Sequence, residues 1–249
     1  MTPILEVRRL NKRFGALHVT RDVHLQVTAG TLHALIGPNG AGKSSLIGQI
    51  TGTIAPDAGE IRLRERDVTH LPTHLRARLG LARSFQITAL AGGMTALENV
   101  ALAVQGMGRH RLRPFGRAAS DARLNGPARE ALALVGLAER EAVLARHLSH
   151  GERRSLELAC ALAMQPVLLV LDEPLAGMGV DEGEKIIALL HSLKQHYAIL
   201  LVEHDMAAVF SLADTASVLV AGQIIATGPP SKIREDAGVR AAYLGDAPC

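Results

Sequence analysis

The 249 residues contain no tryptophan, two tyrosines and four phenylalanines. Stacking platforms of the kind that hold single-stranded nucleic acid are therefore too few, and leucine, alanine, valine and isoleucine must build the core. Cysteine is scarce as well. Cys160 and Cys249 are the only two and lack metal-ligand spacing, which argues against a disulfide scaffold and fits a reducing compartment. No apolar run approaches the ~18 residues expected of a membrane span. The stretch Met1-Thr2-Pro3-Ile4-Leu5-Glu6-Val7-Arg8-Arg9 lacks the basic-then-apolar pattern of a signal peptide. The expectation is a cytoplasmic protein that reaches a membrane only through a partner. The net charge of +3 is small and speaks against a nucleic-acid partner. Apolar residues make up 48%, the mark of a globular chain long enough for a sizeable core.

Against these absences stands one concentrated signal, Gly37-Pro38-Asn39-Gly40-Ala41-Gly42-Lys43-Ser44-Ser45. Two glycines enclose four residues and Gly-Lys-Ser follows, the pattern of a phosphate-binding loop. An apolar strand-length run, Leu32-His33-Ala34-Leu35-Ile36, precedes it, and Ser45 to Ile50 reads as the start of a helix. A polyphosphate must be wrapped closely by backbone N–H groups, which glycines permit. The helix behind adds unpaired N–H groups and the positive end of its dipole. Lys43 supplies a cation for the β- and γ-phosphates, and Ser44 a hydroxyl for Mg²⁺.

The rest of the chain supports an α/β protein. Residues 4–7 and 23–27 alternate apolar and polar, as in half-exposed strands. Val167-Leu168-Leu169-Val170-Leu171 and residues 198–202 are apolar on both faces, as central parallel strands are. Helical patterns fall at 73–79, 95–105, 128–135, 153–164, 182–196, 206–212 and 231–244, a strand-like stretch at 80–86 and a hairpin at 218–225. Strands alternating with helices predict a largely parallel sheet covered on both faces. Between Gln86 and Leu148 strand patterns are missing, which predicts an inserted helical lobe. Five arginines between Arg109 and Arg123 suit a solvated loop better than a docking surface.

Two further stretches carry chemistry. Asp172 and Glu173 close the apolar strand, at the edge where ligands bind in a doubly wound sheet. Asp172 is placed to hold Mg²⁺ through water and Glu173 to polarise an attacking water. Leu148-Ser149-His150-Gly151-Glu152 contains a capping box formed by Ser149 and Glu152, and a capped N-terminus with a glycine in its first turn is also a phosphate site.

With these residues in hand, the sequence resembles the ATP-binding subunits of ABC transporters over nearly its whole length. Leu148-Ser149-His150-Gly151-Glu152 is similar to the family's signature motif, and the phosphate loop and Leu171-Asp172-Glu173-Pro174 take its Walker A and Walker B places. The resemblance implies the ABC ATPase fold: a P-loop NTPase core with a mostly parallel sheet, an N-terminal antiparallel β subdomain and an inserted α-helical subdomain. It implies one domain over 1–249, with 1–86 and 165–249 as nucleotide-binding core and 87–164 as the helical lobe bearing the signature. ATP and Mg²⁺ are the implied cofactors, and ATP hydrolysis coupled to transport the implied activity. Glu173 falls in the place of the catalytic glutamate, Gln86 in that of the Mg²⁺- and water-contacting glutamine, and His204 in that of the histidine contacting the γ-phosphate. Phe14 takes the place of an aromatic that stacks on adenine. Ser149, Gly151 and Glu152 would meet the nucleotide held by a second subunit. Taken alone, Phe14, Gln86 and His204 would read as core, polar surface and a hydrogen-bonded loop residue.

Within the family the resemblance is strongest to bacterial importers of branched-chain and other hydrophobic amino acids, through Phe85-Gln86, residues 94–100, residues 173–179 and the ending Ala242-Tyr243-Leu244-Gly245. Some relatives handle urea or other small solutes. The implied partners are a second ATPase subunit, identical or homologous, two transmembrane permease subunits and, indirectly, a periplasmic or extracellular solute-binding protein. The implied place is the cytoplasmic face of the bacterial plasma membrane. Departures from the family pattern are His150 for glycine, Glu152 for glutamine, Ser45 for threonine, and Gly179 for the aspartate of the D-loop, which Asp181 is positioned to replace. A P-loop kinase, which needs neither the signature stretch nor His204, and a non-transport ABC ATPase acting on DNA or ribosomes are the competing readings.

Overall fold

Alternating side chains build the N-terminal hairpin of strands β1 (Pro3–Phe14) and β2 (Leu17–Thr28). Leu5, Val7, Leu10, Val23, Leu25 and Val27 turn inward and are buried. Both strands run longer than their alternation suggests, because register shifts after Val7 and Leu10 interrupt the two-residue period without ending the pairing. The computed structural model describes residues 3–83, 90–107 and 121–244. The chain divides into two compact units, one of Met1–Leu81, Val167–Glu173 and Leu190–Cys249, the other of Ala82–Pro166 and Pro174–Leu189.

In the first unit, β3 (Leu32–Ile36) leads through the glycine-rich loop into helix α1 (Lys43–Thr51). Strands β4 (Ala58–Leu63) and β5 (Arg66–Asp67) then join the hairpin in an antiparallel sheet of order β2-β1-β4-β5. Helix α2 (Thr73–Arg78) follows, and this stretch of the unit ends at Leu81, the first residue of the short strand β6 (Leu81–Arg83). The second sheet has the order β10-β9-β3-β8-β7-β6 and includes β7 (Leu168–Asp172), β8 (Ala198–Val202), β9 (Thr215–Val220) and β10 (Gln223–Gly228). β3 pairs in parallel with β8 and β9, and β7 with β8, while β10 returns antiparallel along β9. Every residue of β3, β7 and β8 is buried, as the continuous apolar runs require. The two faces serve different cores. Leu35 and Leu219 pack with α1 and the antiparallel sheet. Ala34, Ile36 and Val218 pack with Val209, Ile233 and Val239 of α7 (Met206–Leu212), α8 (Pro230–Glu235) and α9 (Ala237–Leu244).

One helix expected over 231–244 is therefore two. Asp236 adopts an extended backbone, ψ 124°, and its carboxylate accepts the N–H of Val239 at 2.9 Å. An aspartate that caps a new helix ends the old one.

The second unit is helical. α3 (Ala96–Met107), α4 (Ala122–Leu134) and α5 (His150–Ala163) pack on one another, with Val100, Leu132 and Leu156 fully buried. α3 begins at the expected capping box, the Glu98 carboxylate accepting the Thr95 N–H at 2.8 Å. α4 starts six residues earlier than its apolar period suggests. Asp121 caps it by accepting the Arg123 N–H, and Pro127 sits inside the helix rather than before it. α6 (Val180–Leu193) opens in this unit.

Candidate functional site

Strand register decides which residues meet at the edge of the parallel sheet. Val202 of β8 stands level with Leu35 of β3 on one side and Asp172 of β7 on the other. The residues that follow each strand, Gly37 onward, Glu173, and Glu203-His204, therefore emerge together at the C-terminal edge, where open α/β sheets bind ligands.

The loop from Gly37 to Gly42 is shaped by close backbone approach. A Cβ on Gly37 would collide with the Leu219 carbonyl oxygen, and one on Gly42 with that of Val19; both residues also hold positive φ. The loop is tied to the fold by the Gly222 N–H, which donates to the Ala41 carbonyl at 2.9 Å. Pro38 accepts the Ala41 N–H at 3.2 Å, while Asn39 and Gly40 are exposed at the tip. Lys43 opens α1, and its ammonium donates to the carbonyls of Gly37 at 2.6 Å and Pro38 at 3.0 Å. Burial lowers the Lys43 pKa, while Glu173 and Asp172 pull it the other way, so both carboxylates act on this cation. Ser44 is exposed in the first turn, and Ser45 passes its carbonyl to the Gln49 amide at 3.1 Å.

Asp172 is 3% exposed at the end of β7. Glu173 continues the ladder through its N–H to the Val202 carbonyl at 2.9 Å and then turns, with φ of 49°. A left-handed conformation costs a side-chain-bearing residue about 1–2 kcal/mol, and such strain concentrates at functional sites. The Glu173 carboxylate lies 3.8 Å from Nδ1 of His204, whose side chain is 64% exposed. Phe14 ends β1 half-exposed, with the Lys12 ammonium 5.4 Å from its ring centre. Asp57 fixes this strand end, accepting from Lys12 Nζ and the Arg13 N–H at 2.7 Å each. Gln86 lies outside the described residues, as does most of the Arg109–Arg123 stretch.

In the second unit, α5 begins at His150, three residues before its expected start, because the capping box is complete. The Ser149 hydroxyl accepts the Glu152 N–H at 3.2 Å, and the Glu152 carboxylate accepts the Ser149 N–H at 2.8 Å. That backbone bond, with Arg140 bonded to the other oxygen at 2.8 Å, holds the Glu152 pKa down. Glu152 thus spends its carboxylate within the unit. Gly151 is buried against Glu182, whose carboxylate would lie 2.7 Å from an added Cβ. His150 reaches the Ala176 carbonyl at 3.4 Å, and Asp181 is exposed in the first turn of α6.

Sequence reasoning passed over two residues. Arg76 is 1% exposed, with a pKa lowered to about 10 by burial. It donates to the carbonyls of Gln49 and Ile50 at 2.6 Å each, Leu71 at 2.8 Å and Thr69 at 2.9 Å, and so closes the C-terminal end of the loop helix α1. Glu203, equally buried at 1%, lies beside His204. A charged residue next to a buried strand was the available signal for Glu203; for Arg76 the sequence holds none.

Comparison with known proteins gives a consistent picture. A family model described as ABC transporter matches residues 20–176, and one described as branched-chain amino acid ATP-binding cassette transporter matches residues 223–248. The chain is 37% identical to the high-affinity branched-chain amino acid transport ATP-binding protein LivG of Salmonella typhimurium, over 98% of this chain and 99% of that protein. It is 34% identical to the lipopolysaccharide export system ATP-binding protein LptB of Acidithiobacillus ferridurans, over 99% and 98%. A solved ATP-binding cassette of an ABC transporter superposes with a TM-score of 0.88 at 28% identity, covering 98% of this chain and all of that one.

Proposed function

Because this chain belongs to the ABC transporter family, and so binds and hydrolyses ATP, we propose that it powers uptake of branched-chain or related hydrophobic amino acids through separate membrane subunits. The observation that carries the choice of solute is the match of residues 223–248 to the branched-chain family model, alongside 37% identity to LivG over 98% of the chain; likeness to an export-system protein spans nearly the whole chain as well, at 34% identity.

In this reading the loop from Gly37 to Ser45 wraps the triphosphate of ATP with its backbone N–H groups, Pro38 alone having none. Lys43 exchanges the carbonyls of Gly37 and Pro38 for the β- and γ-phosphate oxygens. Phe14 stacks on adenine. Glu173 accepts a proton from the attacking water, and His204 contacts the γ-phosphate. The donors present fit Mg²⁺, which takes one or two carboxylates along with substrate phosphates. Asp172 is buried at the sheet edge and Ser44 is exposed in the first turn of α1, and among the described residues no cluster of three carboxylate, histidine or cysteine side chains offers a richer metal cage. Bound there, with Gln86 as a further ligand, Mg²⁺ would neutralise charge developing on the phosphates.

The second subunit, identical or homologous, brings Ser149 and Gly151 to the far side of the nucleotide, since one chain carries one loop and one signature helix. The helical unit holds the surface that engages the permease: a groove of about 370 Å³ lined by Met94, Leu97, Ala101, Leu102 and Leu124, with Met94 and Leu102 exposed. In this reading the chain lies at the cytoplasmic face, attached through those permease subunits; among the described residues no helix is long and apolar enough to cross a membrane. Purification from membranes with its partners, followed by reconstitution in liposomes, is expected to give ATP-dependent leucine uptake. Uptake of urea and not of leucine would overturn the choice of solute.

A further inference from the structure

Glu203 has no part in the site as described so far, yet its position is unusual for a carboxylate. It follows directly on the central strand β8 and its side chain is 1% exposed. Its Oε2 accepts the backbone N–H of His204 at 3.1 Å and stands 3.8 Å from Nδ1 of the same imidazole. The Glu173 carboxylate stands at the same 3.8 Å from that nitrogen. The ring edge bearing Nδ1 thus faces two acids, one enclosed by the fold and one 30% exposed at the reaction edge. The imidazole itself is 64% exposed, and a side chain so free is held in one orientation only by a fixed neighbour.

We propose that Glu203 is a positioning residue for hydrolysis, its buried carboxylate holding His204 by Nδ1 so that Nε2 faces the γ-phosphate and Glu173 stays free for water. The inference rests on the roles given above to His204 and Glu173. A closing movement of about 1 Å brings Nδ1 within hydrogen-bond range of either acid. If the ring closed on Glu173, the base would be engaged and its contact with water lost. Glu203 decides the competition because burial at the end of β8 fixes its place and because it already grips the His204 backbone. The grip of Glu203 on Nδ1 and the contact of Nε2 with phosphate oxygens, which only accept, each take an N–H, so the ring that serves hydrolysis carries a proton on both nitrogens when ATP is bound.

The test combines a spectrum and a cycle of variants in the full chain. In ¹⁵N-histidine NMR, with the His204 signal assigned from His204→Ala, Nδ1 is expected to carry a proton; an unprotonated Nδ1 overturns the proposal, and this reading needs no Glu203 variant to fold. Glu203→Gln keeps the shape and an acceptor for the backbone N–H but weakens the grip on Nδ1. It is expected to lower kcat at least tenfold while ATP affinity, read with a fluorescent nucleotide, changes less than twofold. In the His204→Ala background it is expected to change turnover less than twofold further, whereas a general loss of packing would lower both backgrounds alike. Wild-type turnover in Glu203→Gln, with His204→Ala inactive, overturns this inference alone. Wild-type turnover in His204→Ala overturns the role of His204 itself.

Discussion

Lowering the pH from 7 to 5 is expected to weaken the fold through one imidazole, His33. It lies on β3, directly before the phosphate loop, and is 4% exposed. Its Nε2 is 2.8 Å from the Ser217 hydroxyl, which is itself 2.8 Å from that of Thr227, and the ring also bonds the Gln26 backbone. Burial holds its pKa down from 6.5 to about 4. The unfolded chain therefore binds the proton more readily than the folded one throughout that window. Stability from this group is complete above pH 6.5 and lost as the pH falls toward 4, below which nothing further is lost. The gap amounts to about 3 kcal/mol, of which about 2 kcal/mol is gone by pH 5. Against a total of about 5–15 kcal/mol, that is a large share. His33→Gln keeps a partner for Ser217 and removes the titration. Urea unfolding of both proteins at pH 7, 6 and 5 is expected to show the variant gaining about 2 kcal/mol on the wild type between the extremes. Parallel pH dependence of the two proteins would refute the reasoning.

Three further outcomes follow from the geometry. Arg76→Met takes a donor from each of four carbonyls, of which Gln49 keeps the Gly52 N–H, and at about 3 kcal/mol for a buried charged hydrogen-bonding group the melting temperature should fall by roughly 6–12 °C in circular dichroism, with a fall under 2 °C speaking against the clamp on α1. Lys43→Ala removes the one cation of the loop and should abolish ATP turnover; wild-type turnover would rule out the loop assignment. Mixing Lys43→Ala chains with Ser149→Arg chains should restore ATP-dependent dimerisation or turnover by gathering both defects at one interface, if like chains pair, while Ser149→Arg retaining full activity by itself would reduce Ser149 to a helix cap.

What the sequence made legible follows from how local each signal is. β3, β7 and β8 announce themselves because a strand buried on both faces must be apolar throughout, and the glycines at 37 and 42 because no Cβ fits there. The capping boxes at Thr95 and Ser149 are local too, and both form. The break at Asp236 was hidden because an aspartate inside a helical period looks like a surface residue until its carboxylate is seen capping Val239. The start of α4 was hidden because Gly126-Pro127 reads as a stop, although the cap at Asp121 sets the helix before it. Arg76 illustrates the limit most clearly: its partners are carbonyls on α1 and on the turn before α2, and no spacing in the sequence encodes that meeting. The roles of Phe14 and His204 came from family resemblance; the structure places the first at a hairpin end and the second beside Glu173.

The central claim, that Glu173 is the base for ATP hydrolysis at the edge formed by β3, β7 and β8, is tested most directly by Glu173→Gln under single-turnover conditions with radiolabelled ATP. The substitution keeps the shape of the side chain and removes the proton acceptor. The variant is expected to bind ATP within about threefold of the wild-type affinity and to retain it unhydrolysed, at least a hundredfold slower in phosphate release, in keeping with the usual contribution of a general base of about 10²–10⁴. Phosphate release at the wild-type rate would contradict the account.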